Sequence, residues 1–428
     1  MQSSILILAA GLGTRMKSKK PKVLQKICKK SMILYILEKA FKISDDVSVV
    51  LSYEKELIEK EILDHFPKTK ILEQDLNKFP GTAGALKNYK PQAKQTLILC
   101  GDMPLIKEQS LKKLIDTNYD FNVAIFNAKD PKNYGRVILK EDSLEKIVEF
   151  KDASEEERNV SLCNAGVYAI NSDLLMQILP LIDNKNEAKE YYLTDAIKLA
   201  REKGVLIHPV FVDEFEFMGV NDKFELSKAE ELMQDELKKY WMKQGVIFHL
   251  PHTIYIDPDV CFEGECEIYE NVRIEGKSLI VNSIIKSSCV IEESEVFNSD
   301  IGPLAHLRPK NIIKNSHIGN FVECKNAKLN KIKAGHLSYL GDCEIDEGTN
   351  IGCGVITCNY DGIKKHKSII GKNVFIGSNS ELIAPVNIED DVIIAAGSCV
   401  DKKVEKGALF INRATSKIIK DYFYKKFQ

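Results

Sequence analysis

Two different spacings of apolar residues divide the chain. Up to about residue 220, short apolar runs alternate with helical patterns. Residues 5–9, 47–51, 96–100 and 123–126 read as buried strands, and residues 31–41, 54–65 and 105–118 as the helices between them. Strands and helices alternating at this spacing predict a mostly parallel sheet covered on both faces. Ligands of such sheets bind beyond the carboxyl ends of the strands, here at loops like the one after Ala9. Over residues 224–243, Leu226, Ala229, Leu232, Met233, Leu237 and Trp241 recur at helical steps among charges, which predicts one long amphipathic helix.

Beyond Gly245 the helical spacing ends. Ile370, Ile376, Leu382, Ile388, Ile394 and Val400 stand six apart. Val374, Ser380, Val386, Val392 and Ser398, each four places after one of the first five, are all branched or small. A weaker form of the pattern holds Val260, Cys266 and Val272, and again Ile345 and Ile351. A period of six suits neither an α-helix nor a hairpin meander; it suits a coil of three flat sides. About 165 residues at roughly 18 per coil predict about nine stacked coils. Residues 358–368 interrupt the rhythm and should project as a loop. The tail from Lys417, with Tyr422, Phe423, Tyr424 and Phe427, is either a docking segment or a frayed end. The expected domains are therefore 1–222, a linking helix 223–245, and 246–428.

Composition narrows the class of function. Of the 428 residues, 44% are hydrophobic and 29% charged, which excludes a disordered or collagen-like chain. Sixty Lys+Arg against 62 Asp+Glu provide no net field to recruit nucleic acid or an anionic membrane. No apolar run approaches the ~18 residues of a membrane span. The start, Met1-Gln2-Ser3-Ser4 before Ile5, reads as the approach to a strand rather than a signal peptide. Eleven cysteines are an odd number without a Cys-x-x-Cys pair, which points to a reducing cytoplasm without disulfides or structural zinc.

Two constellations carry chemistry in the first half. Ala9-Ala10-Gly11-Leu12-Gly13-Thr14-Arg15 follows the first strand, where glycines let backbone N–H groups reach a phosphate and Arg15 adds a cation. Gly-x-Gly by itself marks many tight turns. Here Pro21-Lys22 follows at a distance from which the lysine can return to the same phosphates. Cys100-Gly101-Asp102 ends another strand in a carboxylate that could hold Mg²⁺ or cap the next helix.

Taken with Gly81-Thr82, Tyr134-Gly135-Arg136, Glu149, Asn164-x-Gly166 and Gly219-Val220-Asn221, these motifs resemble the sugar-1-phosphate nucleotidyltransferases. Joined to hexapeptide coils, the whole chain resembles the bacterial bifunctional N-acetylglucosamine-1-phosphate uridylyltransferases/glucosamine-1-phosphate N-acetyltransferases. The resemblance implies an α/β Rossmann-like nucleotidyltransferase domain followed by a left-handed parallel β-helix, in a cytoplasmic homotrimer. It implies that Leu8, Ala9, Ala10, Gly11, Arg15, Lys22, Gln74, Gly81 and Thr82 contact UTP, and that Gly135, Glu149 and Asn164 contact the sugar. By the same resemblance Asp102 and Asn221 hold Mg²⁺. Three departures stand out: a long segment 75–80, Gly84 where a histidine is usual, and Cys100 in place of a tyrosine.

In the coiled half, His336 sits among more polar residues than a structural prism needs. A neutral imidazole is the matched base for an amine that must lose a proton before attacking a thioester. The resemblance makes His336 that base. It assigns Arg308, Lys325, Tyr339 and Asn350 to the amino-sugar phosphate. Cys353 (in place of an alanine), Asn359, Tyr360, Ser378, Ala396 and Arg413 fall to acetyl-CoA. His306 and His317 read as structural, and so do Cys353 and Cys358 as thiols, since neither has an identifiable base. Four of only seven arginines, Arg15, Arg136, Arg308 and Arg413, fall in these motifs, where a planar fork suits phosphate. The substrates implied are UTP, acetyl-CoA, glucosamine-1-phosphate and N-acetylglucosamine-1-phosphate, with no nucleic acid and no membrane. Two rivals remain: a single-activity nucleotidyltransferase whose coils are a scaffold, and an inactive regulatory subunit, which should have lost Arg15, Lys22 or Asp102.

Overall fold

The computed structural model describes residues 3–131, 133–141 and 143–427, so Met1 and Gln2 of the expected strand approach lie outside it. The chain divides into two compact units, Met1–Met233 and Gln234–Gln428, and the division falls inside the helix Lys223–Lys243.

In the first unit Ile5, Ile7, Val47, Val49, Leu97 and Leu99 turn to one face of a sheet, and Leu6, Val50 and Ile98 to the other; all are buried. Strands apolar on both faces belong to a sheet covered on both sides. Among the described residues seven strands cross it in the order Ile207–Phe211, Phe121–Asn127, Leu162–Asn171, Gln95–Cys100, Ser3–Leu8, Val47–Leu51, Lys70–Glu73. Neighbours are parallel except Leu162–Asn171, which runs against both partners. A hairpin of Arg136–Lys140 and Ser143–Val148 joins it through Cys163 and Arg136. The expected helix over 105–118 is confined to Glu108–Ile115, because residues after Asp102 first form a turn in which Ile106 N–H donates to Met103 O at 3.4 Å.

The helix Lys223–Lys243 is continuous, as its spacing predicts. In the first unit Ala229 is buried with Met16, Met32 and Val220. In the second, Leu237 and Trp241 pack against the coiled core, with Trp241 edge-on to Phe262. Among the described residues no helix is long and apolar enough to cross a membrane.

The second unit is a three-sided parallel β-helix whose described strands form sheets of ten, nine and eight. All six aliphatic residues of the six-spaced run are buried, as are the five small or branched ones. There Phe375 faces Ile393, 18 residues on. Earlier coils are shorter, Ile284 facing Asp300 and Asp300 facing His317, 16 and 17 residues on. Shortened corners are why the six-residue rhythm blurs in that stretch. Corner residues such as Asn271, Asn282, Asn298 and Asn315 take positive φ, which asparagine tolerates better than most side chains. Inside, serine hydroxyls accept from the next coil: Ser299 N–H reaches Ser283 at 3.0 Å, Ser316 N–H reaches Ser299 at 2.9 Å, and Ile332 N–H reaches Ser316 at 3.1 Å. A small polar residue can thus sit in the core with its oxygen satisfied. The interruption after Cys358 is an exposed loop, tied by Asp361, which accepts from the N–H groups of Ile363 and Lys364 at 2.7 and 2.6 Å. The tail ends in the exposed helix Tyr422–Lys426.

Candidate functional site

Because Ser3–Leu8 lies between Val47–Leu51 and Gln95–Cys100, the loops leaving their carboxyl ends emerge side by side. Ala9 N–H donates to Val50 O at 2.9 Å and Gly101 N–H to Leu8 O at 2.8 Å. A cavity of about 600 Å³ opens there. Leu8, Ala9, Ala10, Gly11, Arg15, Lys22, Gln74, Gly81, Thr82, Asp102 and Asn221 all line it. Every residue expected on the nucleotide and metal side therefore meets in one space.

At its floor the Lys22 ammonium meets the Asp102 carboxylate and donates to Asn221 Oδ1 at 3.1 Å. Gly13 is left-handed, and a Cβ there would lie 2.7 Å from Lys22 Cβ, so only glycine lets the lysine stem pass. The backbone bearing these two side chains is tied down: Val220 N–H donates to the Asp102 main-chain carbonyl at 2.9 Å, and Asn221 N–H to the Glu225 carboxylate at 2.7 Å. No group of three or more His, Cys, Asp or Glu that could hold a metal occurs among the described residues. Cys100 also lines the cavity; burial, with Asp102 adding to it, pushes its thiol up to about 12 and keeps it neutral.

Gly135, Glu149 and Asn164 do not line that cavity but gather in a cluster of their own. A Cβ on Gly135 would lie 3.6 Å from Glu149 Oε1 and 3.7 Å from Asn164 Cβ. Asn164 Nδ2 donates to the Tyr168 hydroxyl at 2.7 Å, and Asn164 Oδ1 accepts from Gly166 N–H at 2.9 Å. Burial raises the Glu149 carboxyl above its usual range, although Thr194 donates to it at 3.2 Å. Arg136 is not a phosphate fork. It is buried, and its guanidinium donates to the carbonyls of Pro131, Tyr134 and Arg158.

The unusual segment 75–80 is held from beneath. Gln74 Nε2 donates to Phe79 O at 2.8 Å and Gly81 O at 2.9 Å. The Lys87 ammonium lies 5.5 Å and 5.3 Å from the ring centroids of Phe79 and Tyr191. A Cβ at position 84 would fall 2.1 Å from Phe79 O. The carbonyl of the long segment thus fills the room that a side chain at 84 would need, so two of the departures form a single arrangement. Gly84→Ala is expected to cost about 1–3 kcal/mol by overpacking, read as a lower denaturation midpoint; an unchanged midpoint would mean that the segment moves aside.

In the second unit one column of side chains crosses successive coils. Asn320 pairs with His336. Carrying the register of Lys333 with Asn350, Asn350 with Phe375, and Phe375 with Ile393 along their strands places Cys353, Ser378 and Ala396 in line after His336. Asn379 N–H to Cys353 O and Gly397 N–H to Ser378 O, both 2.8 Å, hold this alignment. Successive members are about 4.8 Å apart. Arg413 reaches the far end, its Cδ 4.0 Å from where Gly397 would carry a Cβ.

Around the corner at Leu337 a second group gathers. Arg308 stands one coil from Lys325, and Tyr339 stacks on Glu323. Arg308 Nη1 is 3.1 Å from Glu323. Contact with Lys365, then burial and Arg308, holds the Lys325 ammonium below its usual range. Asn359 is buried, and its Nδ2 donates to Asp342, so here it anchors the exposed loop; the Tyr360 hydroxyl donates to Gly362 O at 2.6 Å. Asn350 stands apart, in a shallow groove with His317 and Lys333. His317 and His306 each face a carboxylate, Asp300 at 2.6 Å and Glu292 at 3.5 Å.

Residues 5–165 match the MobA-like NTP transferase domain, and residues 368–402 the hexapeptide repeat of succinyl-transferase. Over its whole length the chain is 71% identical to the Bifunctional protein GlmU of Campylobacter jejuni subsp. jejuni serotype O:6, with 100% of both chains covered. The chain belongs to the GlmU family. GlmU proteins of Campylobacter lari and Campylobacter fetus subsp. fetus are 68% and 56% identical, over 100% and 99% of this chain and 100% and 98% of their own. Among solved structures, the inositol-1-phosphate CTP transferase from T. maritima covers 54% of this chain and 95% of its own, at TM-score 0.43 and 17% identity.

Membership of the GlmU family makes the protein a bifunctional transferase, with a Rossmann-like α/β unit followed by a left-handed parallel β-helix. The scaffold rival is not favoured, since the GlmU relatives match both halves. Two further residues lie with these groups. Glu190 lines the first cavity, and Lys365 faces Lys325. The basic run Lys364-Lys365-His366-Lys367 inside the interruption was a signal for the second; Glu190, in a polar loop, had none.

Proposed function

We infer that the chain makes UDP-N-acetylglucosamine in two steps, one in each unit. In the β-helix unit, His336 takes a proton from the amine of glucosamine-1-phosphate. The amine attacks the acetyl-CoA thioester, and CoA leaves as its thiolate, which takes up a proton. Arg308, Lys325 and Lys365 form the cationic cluster for the sugar phosphate, with Tyr339 on the neighbouring coil; Asn350, which stands apart from them, is assigned to the same ligand by the family resemblance alone. The column Cys353, Ser378, Ala396 leading toward Arg413 tracks acetyl-CoA, and the family resemblance assigns Asn359 and Tyr360, at the base of the loop, to the same ligand.

In the first unit, an oxygen of the N-acetylglucosamine-1-phosphate phosphate attacks the α-phosphorus of UTP, and pyrophosphate leaves. Such a transfer asks for positioning and charge neutralisation rather than a strong base. The N–H groups of residues 9–13, with Arg15 and Lys22, face the phosphates. Gln74, Gly81 and Thr82 face the nucleoside, while Gly135, Glu149 and Asn164 orient the sugar. Asp102 and Asn221 converge on a cation, the Lys22 ammonium, with two hard oxygens. That donor set suits Mg²⁺, which keeps phosphate and water as its other ligands. When bound, the ion neutralises charge on the reacting phosphates.

The reading rests on one observation: each unit has its own gathering of the expected residues, the cavity lined by Arg15, Lys22 and Asp102 in one and the column that begins at His336 in the other. The domains are then 1–222, the helix 223–245, and 246–428, in a cytoplasmic enzyme. A homotrimer is supported by Leu304, Phe321 and Leu337. These large apolar residues take positive φ at successive coils of one corner yet remain 44%, 55% and 58% exposed, next to His336. A neighbouring copy would cover that corner and turn an open edge into a cleft. The test is to incubate the protein with glucosamine-1-phosphate, acetyl-CoA, UTP and Mg²⁺, omitting one at a time. Free CoA should appear without UTP, and pyrophosphate only when UTP, Mg²⁺ and an acetylated sugar are present. Pyrophosphate release from the unacetylated sugar at the same rate would overturn the order of steps.

A further inference from the structure

The floor of the first-unit cavity holds a cation of the protein's own. The Lys22 ammonium bridges the Asp102 carboxylate and Asn221 Oδ1, and the Lys22 and Asp102 side chains are only 14% and 17% exposed. The start of the lysine side chain is set by the backbone around it. Lys22 opens the short helix Lys22–Leu24 behind Pro21, and its stem passes the glycine at 13 at a distance no other residue would allow. The backbone carrying the two side chains is held in place: Val220 N–H donates to the Asp102 carbonyl, and Asn221 N–H to the Glu225 carboxylate.

We propose that Lys22 acts as a stand-in cation, occupying the position between Asp102 and Asn221 until nucleotide phosphates draw it away, so that the divalent ion enters only with the nucleotide. The inference rests on Asp102 and Asn221 being the metal's protein ligands. Two protein oxygens satisfy only part of an octahedral shell, and Mg²⁺ gives up water reluctantly. A tethered ammonium already paired with the carboxylate in a partly buried site competes with that weak binding. Triphosphate oxygens change both sides of the contest, supplying further ligands to the ion and new anions to the lysine. Metal binding and nucleotide binding are therefore linked, each raising the affinity for the other by the same factor. The lysine also keeps Asp102 compensated in the nucleotide-free protein, where a partly buried carboxylate would otherwise lack a cation.

Mn²⁺ serves as the probe, its free concentration followed by electron paramagnetic resonance in the full-length protein with and without UTP, in the absence of sugar phosphate. The wild-type protein should bind Mn²⁺ weakly alone and more tightly with UTP. Lys22→Met should bind Mn²⁺ without nucleotide at least about tenfold more tightly than wild type, with Lys22→Gln as a second variant. Asp102→Ala sorts the outcomes. If Mn²⁺ bound with UTP does not depend on Asp102, the metal assignment itself fails. If it does, and wild type and Lys22→Met bind Mn²⁺ equally without nucleotide, the stand-in role alone fails. A measurement on the unaltered protein guards against misfolded variants: Mn²⁺ alone should leave its melting temperature unmoved, and Mn²⁺ with UTP should raise it above UTP alone. A rise with Mn²⁺ alone as large as that with the pair would also overturn the proposal.

Discussion

His336→Ala is expected to lower acetyl transfer by about 10²–10⁴-fold, the usual contribution of a positioned general base, while uridylyl transfer stays within a factor of two or so. The imidazole is exposed at the end of the strand Lys333–His336. Its removal opens no cavity in the core, so the coil around Ala334 and Leu340, both fully buried, should be undisturbed. The loss is therefore chemical rather than structural, and free CoA measured by thiol titration reads it directly. A variant that keeps acetyl transfer within tenfold of wild type would remove His336 from the mechanism. Loss of both activities in a folded protein would refute the assignment of one step to each unit.

Asp102→Ala is expected to produce the opposite pattern, with uridylyl transfer down about 10³-fold or more and acetyl transfer intact. Charge stabilisation of reacting phosphates supplies several kcal/mol in such transfers, and Asp102 is a carboxylate of the cavity lining with a cation, Lys22, in contact. Its backbone carbonyl, which accepts from Val220 N–H, is untouched by the change. The loop carrying Asn221 should thus stay in place. Pyrophosphate release, measured with N-acetylglucosamine-1-phosphate and UTP across a range of Mg²⁺, checks it. Activity restored by raising Mg²⁺ a few-fold would mean that the carboxylate only assists the ion, and that other groups hold it.

The two predictions test different kinds of legibility. The Gly11-x-Gly13 loop, Lys22, Asp102 and Asn221 lie far apart in the chain, yet their convergence follows from a parallel sheet whose strand ends are neighbours. Gln74 belongs there too, but the structure shows its amide holding the carbonyls of Phe79 and Gly81, which no spacing announces. The motif around Arg136 suits a phosphate fork. Burial turned it into a strut for three carbonyls, since motif position says nothing about which way a guanidinium points. In the β-helix unit, the column from His336 through Cys353 and Ser378 to Ala396 is spread over residues 336–396 and emerges only once coil lengths are known.

The chain's own order of residues was enough to determine the two architectures, because burial periodicity is local: alternation and helical steps mark the α/β unit, and aliphatic residues six apart mark the coils. The order of its motifs was enough, too, to carry the resemblance from which the chemistry follows, although the glycines or the carboxylate alone left other readings open. The tertiary structure alone decided the contacts that depend on register and packing volume. These are the placement of Lys22 between Asp102 and Asn221, the filling of the room at Gly84 by Phe79, and the approach of Lys365 to Lys325. Each joins residues distant in sequence or in a loop of irregular path, and its energy depends on ångström-scale geometry that one-dimensional pattern does not encode.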